Sequence, residues 1–589
     1  MDSSVDRRGA ALEEKTKDEG RTTKDRSFTS VLRRPSFVAL LLPTAFLILF
    51  YFYPLASIFQ ESFARSKAGA LAPFVFAFTS PSVIKVIGFT FYQATLSTLA
   101  TLALGLPGAY LLARYRFSGQ SLLRAFTTVP FVLPTLVVAA GFNALLGPRG
   151  WLNLGLMSLF DLTTPPVNFL STLGAIILAH VFYNTTIVLR LVGDFWSRLD
   201  PRLEAAAHTL GADRRRTFRH VTLPLLTPAI AAAALLVFIF NFTSFGVILI
   251  LGGPSFATLE VEIYRQTVAF FNLPLAAVLS LIQLTCTFGL TLIYTRLSAS
   301  LSLPLTPKPQ TLIRRPLKTF AARLGAGLLL LTLVMLLLAP LGALALRSIT
   351  RLEQPPVTSG FTLAYYQELS VNRNNSLFYV SPLQAIGNSL LVASATVVFS
   401  LVLGLSTASA LIQSGRRSAL LESLLMLPLG TSAVTLGLGF IVALDQPPLD
   451  LRASSLLLPL AHTLVAFPFV VRSLTPALRS IKPRLRQAAT ALGASPFQVW
   501  LKVDLPIVGR AVLVAATFAF AISLGEFGAT AVIARPEHPT VPLAIYRFLS
   551  LPGALNYGQA MALSTILMLV CAAGILAIER LRVAEIGEF

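Results

Sequence analysis

Long apolar runs follow one another along nearly the whole chain, and each is about 20 residues long, the length an α-helix needs to cross a bilayer. They fall near 37–59, 86–112, 123–147, 171–193, 225–251 and 273–295. After a polar interval they resume near 323–346, 384–411, 421–444, 454–474, 507–533 and 557–579. A chain with this pattern is expected to be an all-α polytopic membrane protein of about twelve transmembrane helices. Composition agrees. Only 12% of residues are charged, half the usual share for a soluble domain, and the mean hydropathy is +0.74. The net charge of +21 does not point to nucleic acid, because Lys and Arg gather in particular loops, as membrane topology requires.

Those loops set an expected orientation. Arg114, Arg116 and Arg124 follow the second run, Arg202, Arg214, Arg215, Arg216 and Arg219 the fourth, and Lys308, Arg314, Arg315, Lys318 and Arg323 the sixth. The alternate loops are poorer: 252–272 has Arg265 alone, and 445–453 only Arg452. By the positive-inside rule both termini and the 201–224 and 483–506 loops face the cytoplasm. The expected division is a cytoplasmic disordered tail at 1–35, a first six-helix repeat at 36–295, a cytoplasmic linker at 296–322, a second repeat at 323–580 and a short cytoplasmic tail at 581–589. The tail lacks the apolar core of a cleavable signal peptide. Cys286 and Cys571 lie inside apolar runs, without metal-ligand spacing.

The halves are related by one register. PRLEAAAHTLGAD, at 201–213, returns as PRLRQAATALGAS at 483–495, so that Gly211 and Gly493 stand 282 residues apart. The same shift carries His180 onto His462, Arg190 onto Arg472, Phe245-Gly246 onto Phe527-Gly528 and Tyr264 onto Tyr546. Six spans separate the copies, so the repeats share one membrane orientation. Asp200 suits an N-cap, Pro201 the first helical position and Gly211 a helix stop. Asp213 can cap a second short helix, as Ser495 can in the other copy. Each loop therefore reads as helix, glycine turn and helix, followed by Leu-Pro re-entry into the bilayer. Small alanines permit close approach of a partner, and Leu203, Leu210 and Phe218, with Leu485, Leu492 and Trp500 as counterparts, offer apolar anchors for a groove on another protein.

The pattern E-A-A-x(2–3)-L-G-A, followed by V-x-L-P, resembles the EAA loop of ABC importer permeases. The likeness extends to LGLPGAYLLARYRFSG at 104–119 and LPLGTSAVTLGLGF at 427–440. It implies two parallel six-helix repeats of the type I importer permease fold, with EAA loops at 200–224 and 482–506. It also implies coupling to a separate ATPase through Glu204, Ala206, Ala207 and Gly211 in the first copy and Gln487, Ala488, Ala489 and Gly493 in the second. Counted back from Gly211, the family's glutamate position holds Ala205, with Glu204 one place earlier, and the second copy has Gln487. The chain has no G-x(4)-G-K-[ST] phosphate loop, so ATP hydrolysis is expected of cytoplasmic partner subunits, two copies of one, and the chain itself is not expected to be an enzyme. Further expected partners are an extracytoplasmic solute-binding protein and membrane lipid, with no cofactor, no resident metal and no nucleic acid. The expected location is a bacterial or archaeal inner membrane.

The fused double-half arrangement resembles thiamine and ferric-iron permeases, on FTSFGVILILGGP at 242–254 with TLEVEIYRQT at 258–267, and SLGEFGATAVIA at 523–534 with TVPLAIYRFLS at 540–550. Ser244 and Glu526, one register shift apart, are the candidate pathway residues, because an ionisable residue in a span marks a functional candidate. His180 and His462 read as hydrogen-bonding helix partners, and Arg190 and Arg472 as snorkelling cations at span ends. Glu260, Glu262, Glu537 and His538 read as solvated outer-segment residues or contacts for a binding protein. An ion-coupled secondary transporter is the alternative; it predicts several intramembrane carboxylates and leaves the paired docking helices without a role.

Overall fold

In the computed structural model, described residues are 35–64, 69, 71–117, 119–127, 130, 133–299, 315–317, 319–352, 359–371, 381–413, 424–445 and 449–583. The expected tails and most of the linker lie outside them. Ten helices among the described residues are long and apolar enough to cross a membrane. In the first half these are α1 (Leu40–Phe63), α2 (Pro81–Arg114), α4 (Leu173–Arg198), α6 (Arg214–Phe242) and α9 (Leu273–Leu297). In the second they are α10 (Phe320–Ser348), α11 (Pro382–Ile412), α13 (Leu457–Arg479), α15 (Pro496–Gly525) and α18 (Ala554–Gly574).

The third and ninth expected spans differ from expectation. The run 123–147 contains α3 (Thr135–Leu146) and the run 421–444 contains α12 (Ala433–Ala443), helices of 12 and 11 residues. At 1.5 Å per residue each is about 17–18 Å long, short of the ~30 Å hydrocarbon core. Proline is the cause. Pro134 caps α3, and Pro428 sits in the tight Leu427–Gly430 turn before α12. Both helices are buried along most of their length, so protein rather than lipid surrounds the broken backbone. With these two, the described residues of each half hold six apolar helices of the bundle.

Between the fourth and fifth spans of each half lies a short helix, α5 (Pro201–Thr209) and α14 (Pro483–Ala491). Beyond the fifth spans come α7 (Gly246–Leu251) and α8 (Leu259–Tyr264) in the first half, matched by α16 (Gly528–Ile533) and α17 (Val541–Ser550) in the second. Strand structure is minimal. Two-residue strands β1 (Tyr115–Arg116) and β2 (Arg315–Pro316) pair in parallel, and β3 (Thr350–Leu352) pairs antiparallel with β4 (Ser359–Phe361).

Each half lends its first span to the other. The α1 residue Tyr51 hydrogen-bonds Thr431 at 2.7 Å, and Phe50 meets Phe440 edge-on at 6.4 Å. From the opposite side, α10 packs on α3 so closely that a Cβ at Gly141 would lie 2.9 Å from the carbonyl oxygen of Pro340. The largest buried cluster contains Val137, Phe245 and Ile248 of the first half together with Leu438, Phe527 and Ile545 of the second. The two halves therefore share one core, centred where α3, α7, α12 and α16 meet.

Candidate functional site

The helix α5 starts where Asp200 accepts a hydrogen bond from the Arg202 amide at 3.0 Å, with Pro201 next in line. It stops at Gly211, whose φ of +85° lies in the left-handed region. There the Gly211 amide bonds the His208 carbonyl, and the Ala212 amide bonds Ala207, both at 3.0 Å, which satisfies orphan carbonyls at the helix end. The second copy repeats this at Gly493, again with φ of +85°. Asp213 then caps the head of α6 through the Arg216 amide, and Ser495 forms a capping box with Gln498 at the head of α15. The second short helix runs directly into the fifth span through a π-turn at Phe218–Thr222 in one copy and Trp500–Asp504 in the other.

The outer faces of the two elbows match. Leu203 and Leu485 are 48% and 47% exposed, and Leu210 and Leu492 are both 89% exposed. Ala206, Ala488 and Gln487 are exposed, while Ala207 and Ala489 are half-buried. Phe218 stacks on Trp196, and Trp500 stacks on Phe497. These two anchors are therefore partly engaged within the chain.

The inner faces hold each elbow to its span with opposite polarity. Glu204 accepts from the Arg114 guanidinium, at the end of α2, and from the Thr222 hydroxyl at 2.9 Å. In the second copy its register partner is Arg486, whose Nε donates to Asp504 at 2.8 Å, and Asp504 is the register partner of Thr222. The carboxylate thus sits on the short helix in one half and on the span in the other. Glu204 points into its own chain.

Between the halves two cavities are stacked along the helices. One, of about 650 Å³, touches Ile187, Arg190 and Asp194 on α4, and Leu236 on α6, in the half of the bundle nearer the elbows. Arg190 and Arg472 both line it, so they face the space between the halves rather than snorkelling to lipid head groups. The other, of about 390 Å³, touches His180 and Tyr183 on α4, and Ser244 and Gly246 beyond α6, farther from the elbows. Phe240, Phe469 and Phe518 line both and mark the boundary.

An aromatic group spans the far end. Phe245 and Phe527, register partners, stack across the two halves at 5.3 Å. Tyr264 packs on Phe245 at 5.2 Å and Tyr546 on Phe527 at 5.5 Å. Gly246 lets α7 reach this position, since a Cβ there would lie 2.6 Å from the Thr135 hydroxyl and 3.3 Å from the Phe527 ring.

Ser244 and Glu526 both line the upper cavity, and each binds the histidine of its own half. His180 spends its ring nitrogens on Ser97 at 3.0 Å and Ser244 at 2.9 Å. His462 spends its own on Ser523 at 2.8 Å and Thr530 at 2.9 Å, with Glu526 at 3.3 Å. The Glu526 carboxylate also accepts from the amides of Ala529 and Thr530 and from the Thr530 hydroxyl, and so anchors the start of α16.

Glu260 departs from its reading as a solvated outer residue. It is 1% exposed, accepts from Gln283 at 2.8 Å and from the Ser432 hydroxyl at 2.6 Å, and lines the upper cavity. Its position on the short helix α8, folded back into the bundle, is a tertiary fact without a local sequence signal. A second feature had one. Gln93, Asn184 and Asn241, polar residues inside apolar runs, bond one another where α2, α4 and α6 meet, at 2.7–2.8 Å.

Comparison with known proteins places this architecture. Residues 105–303 match the family described as binding-protein-dependent transport system inner membrane component. The thiamine transport system permease protein ThiP of Escherichia coli (strain K12) is 28% identical over 511 residues, covering 84% of this chain and 88% of that protein. The probable ABC transporter permease protein y4fN of Sinorhizobium fredii is 28% identical over 470 residues, covering 77% and 80%. A solved chain from a bacterial ABC transporter involved in import of the acidic polysaccharide alginate aligns with 48% of this chain and all of its own length, at 20% identity and a TM-score of 0.38. The chain is therefore similar to ABC importer permeases, the thiamine permeases among them, over most of its length, with the family's own match confined to residues 105–303.

Proposed function

We propose that the chain forms the translocation pathway for thiamine, delivered on one face by a solute-binding protein and driven on the other by two copies of a separate ATPase. In this reading α5 and α14 are the docking helices, with Ala206, Ala207 and Gly211, and Ala488, Ala489 and Gly493, giving the contact its shape. Leu203, Leu210, Leu485 and Leu492 are the anchors. Glu204 and Gln487 play different parts, the first holding its elbow to the span and the second exposed on its helix. Both termini and both elbows lie in the cytoplasm, as the placement of Lys and Arg requires. ATP-driven closure of the ATPase pair pulls the elbows, rocks the halves and parts the aromatic closure at Phe245 and Phe527.

One observation carries the reading: two elbows in the same register with the same φ at the glycine and the same 89% exposure of the leading leucine. A single amphipathic helix lying on lipid gives no reason for such duplication. Thiamine is favoured over iron(III) as solute by the similarity to a thiamine permease over 84% of the chain. The test is to reconstitute the chain with its ATPase and binding protein, and to replace Leu210 and Leu492 with Asp. Uptake should then cease and the ATPase should no longer co-purify. Uptake that persists, or that follows a proton gradient without ATP, would favour an ion-coupled carrier instead.

A further inference from the structure

We propose, resting on the permease reading above, that the cavity beneath the aromatic closure is a transit site for a flat organic cation, with Glu260 as its counter-ion. The volume, about 390 Å³, falls in the range of small-molecule sites. Its walls carry six rings, Tyr183, Phe240, Phe245, Phe469, Phe518 and Phe527, contributed by both halves. Aromatic faces attract cations, the more strongly when water is excluded.

Two carboxylates reach the cavity, and their bonding separates their roles. Glu526 is committed: it has His462 and three donors at the start of α16. Glu260 receives only neutral donors, Gln283 and Ser432, and Glu526 stands near enough to repel it. A buried carboxylate without a cation is costly, and a cation entering the cavity relieves that cost. The second half has no counterpart of Glu260, since its register partner is Pro542.

The position also ties occupancy to the closure. Glu260 lies on α8 one turn from Tyr264, a member of the aromatic group. Its bond to Ser432 crosses from the first half to the N-cap of α12 in the second. A cation that draws the carboxylate away from Ser432 loosens a cross-half contact beside the aromatic stack. Cation entry and separation of the halves therefore favour one another.

The experiment uses proteoliposomes holding the chain with its ATPase and binding protein, with radiolabelled thiamine and, in parallel, ferric ion as probes. Glu260→Gln keeps the shape and an acceptor for Ser432 but removes the charge. Thiamine uptake should fall roughly tenfold or more, the loss expected when one member of a desolvated charge pair is removed. Glu260→Asp should restore part of it. Should the Gln chain fail to assemble with the ATPase, Phe469→Leu and Phe518→Leu test the rings and should lower thiamine uptake selectively. Undiminished thiamine uptake in the assembled Gln and Leu variants overturns the cation site and leaves the proposed function intact, whereas ATP-driven uptake of ferric ion with no effect of thiamine overturns the cation site and thiamine as solute while leaving ATP-driven import. Absence of ATP-driven uptake of either probe by the wild-type assembly overturns both.

Discussion

Replacing Arg486 with Met tests whether the inner face of an elbow sets its docking strength. The substitution removes the Nε donor that meets Asp504 at 2.8 Å, while keeping a long apolar stem against the span. The side chains are 32% and 11% exposed, so Asp504 loses a partner in a place that water reaches only in part. An unsatisfied charged acceptor in such a setting costs about 1–2 kcal/mol, below the full buried value because of that access. If the cost appears as loosening of α14, the docking-competent fraction falls and ATPase affinity drops roughly 5- to 30-fold. The first copy supplies the control, since Thr222 occupies the place that corresponds to Asp504. The double variant Arg486→Met with Asp504→Thr removes the stranded charge and should recover most of the affinity. Titration of the ATPase against the purified chain in nanodiscs measures both. A single variant within twofold of wild type, or a double variant weaker than the single, would refute the reasoning.

Two other predictions address the turns and the closure. Gly211→Ala and Gly493→Ala meet open space, with no atom within 4 Å of the new Cβ, so the penalty at φ +85° is conformational alone, about 1 kcal/mol each; Asn, which tolerates that region, should cost less in stimulated ATP hydrolysis, and equal effects of Ala and Asn would exclude the backbone explanation. Phe245→Ala with Phe527→Ala removes the stacked pair from a buried setting, with about 0.5–1.5 kcal/mol of coupling between the two sites. Vesicles loaded with solute should then leak without ATP, and vesicles that stay sealed would rule out these rings as the barrier.

Much of this molecule was legible because its signals are local or periodic. Span lengths, the register of 282 residues, the Asp200 cap, Pro201 and the left-handed Gly211 all follow from neighbours in sequence. What was missed depends on distant partners. The shortening of α3 and α12 was foreshadowed by Pro134 and Pro428, but apolar composition alone masked it. The cavity-facing sides of Arg190 and Arg472 arise from how the halves meet, and the burial of Glu260 from the folding back of α8. The reversed polarity of the two elbows was within reach, since the same register pairs Glu204 with Arg486 and Thr222 with Asp504. Reading it required knowing that those positions touch.

The continuity of α6 and α15 has a mechanical consequence. They run 29 and 30 residues, about 43–45 Å, from the elbow to within a few residues of Phe245 and Phe527. On the proposed function, two rods of nearly equal length, each docked to the ATPase at one end and carrying one ring of the Phe245–Phe527 pair near the other, would work like tongs. A symmetric squeeze on the handles moves both blades by matched amounts, and a pull on one handle alone leaves the opposite blade in place to keep the barrier shut.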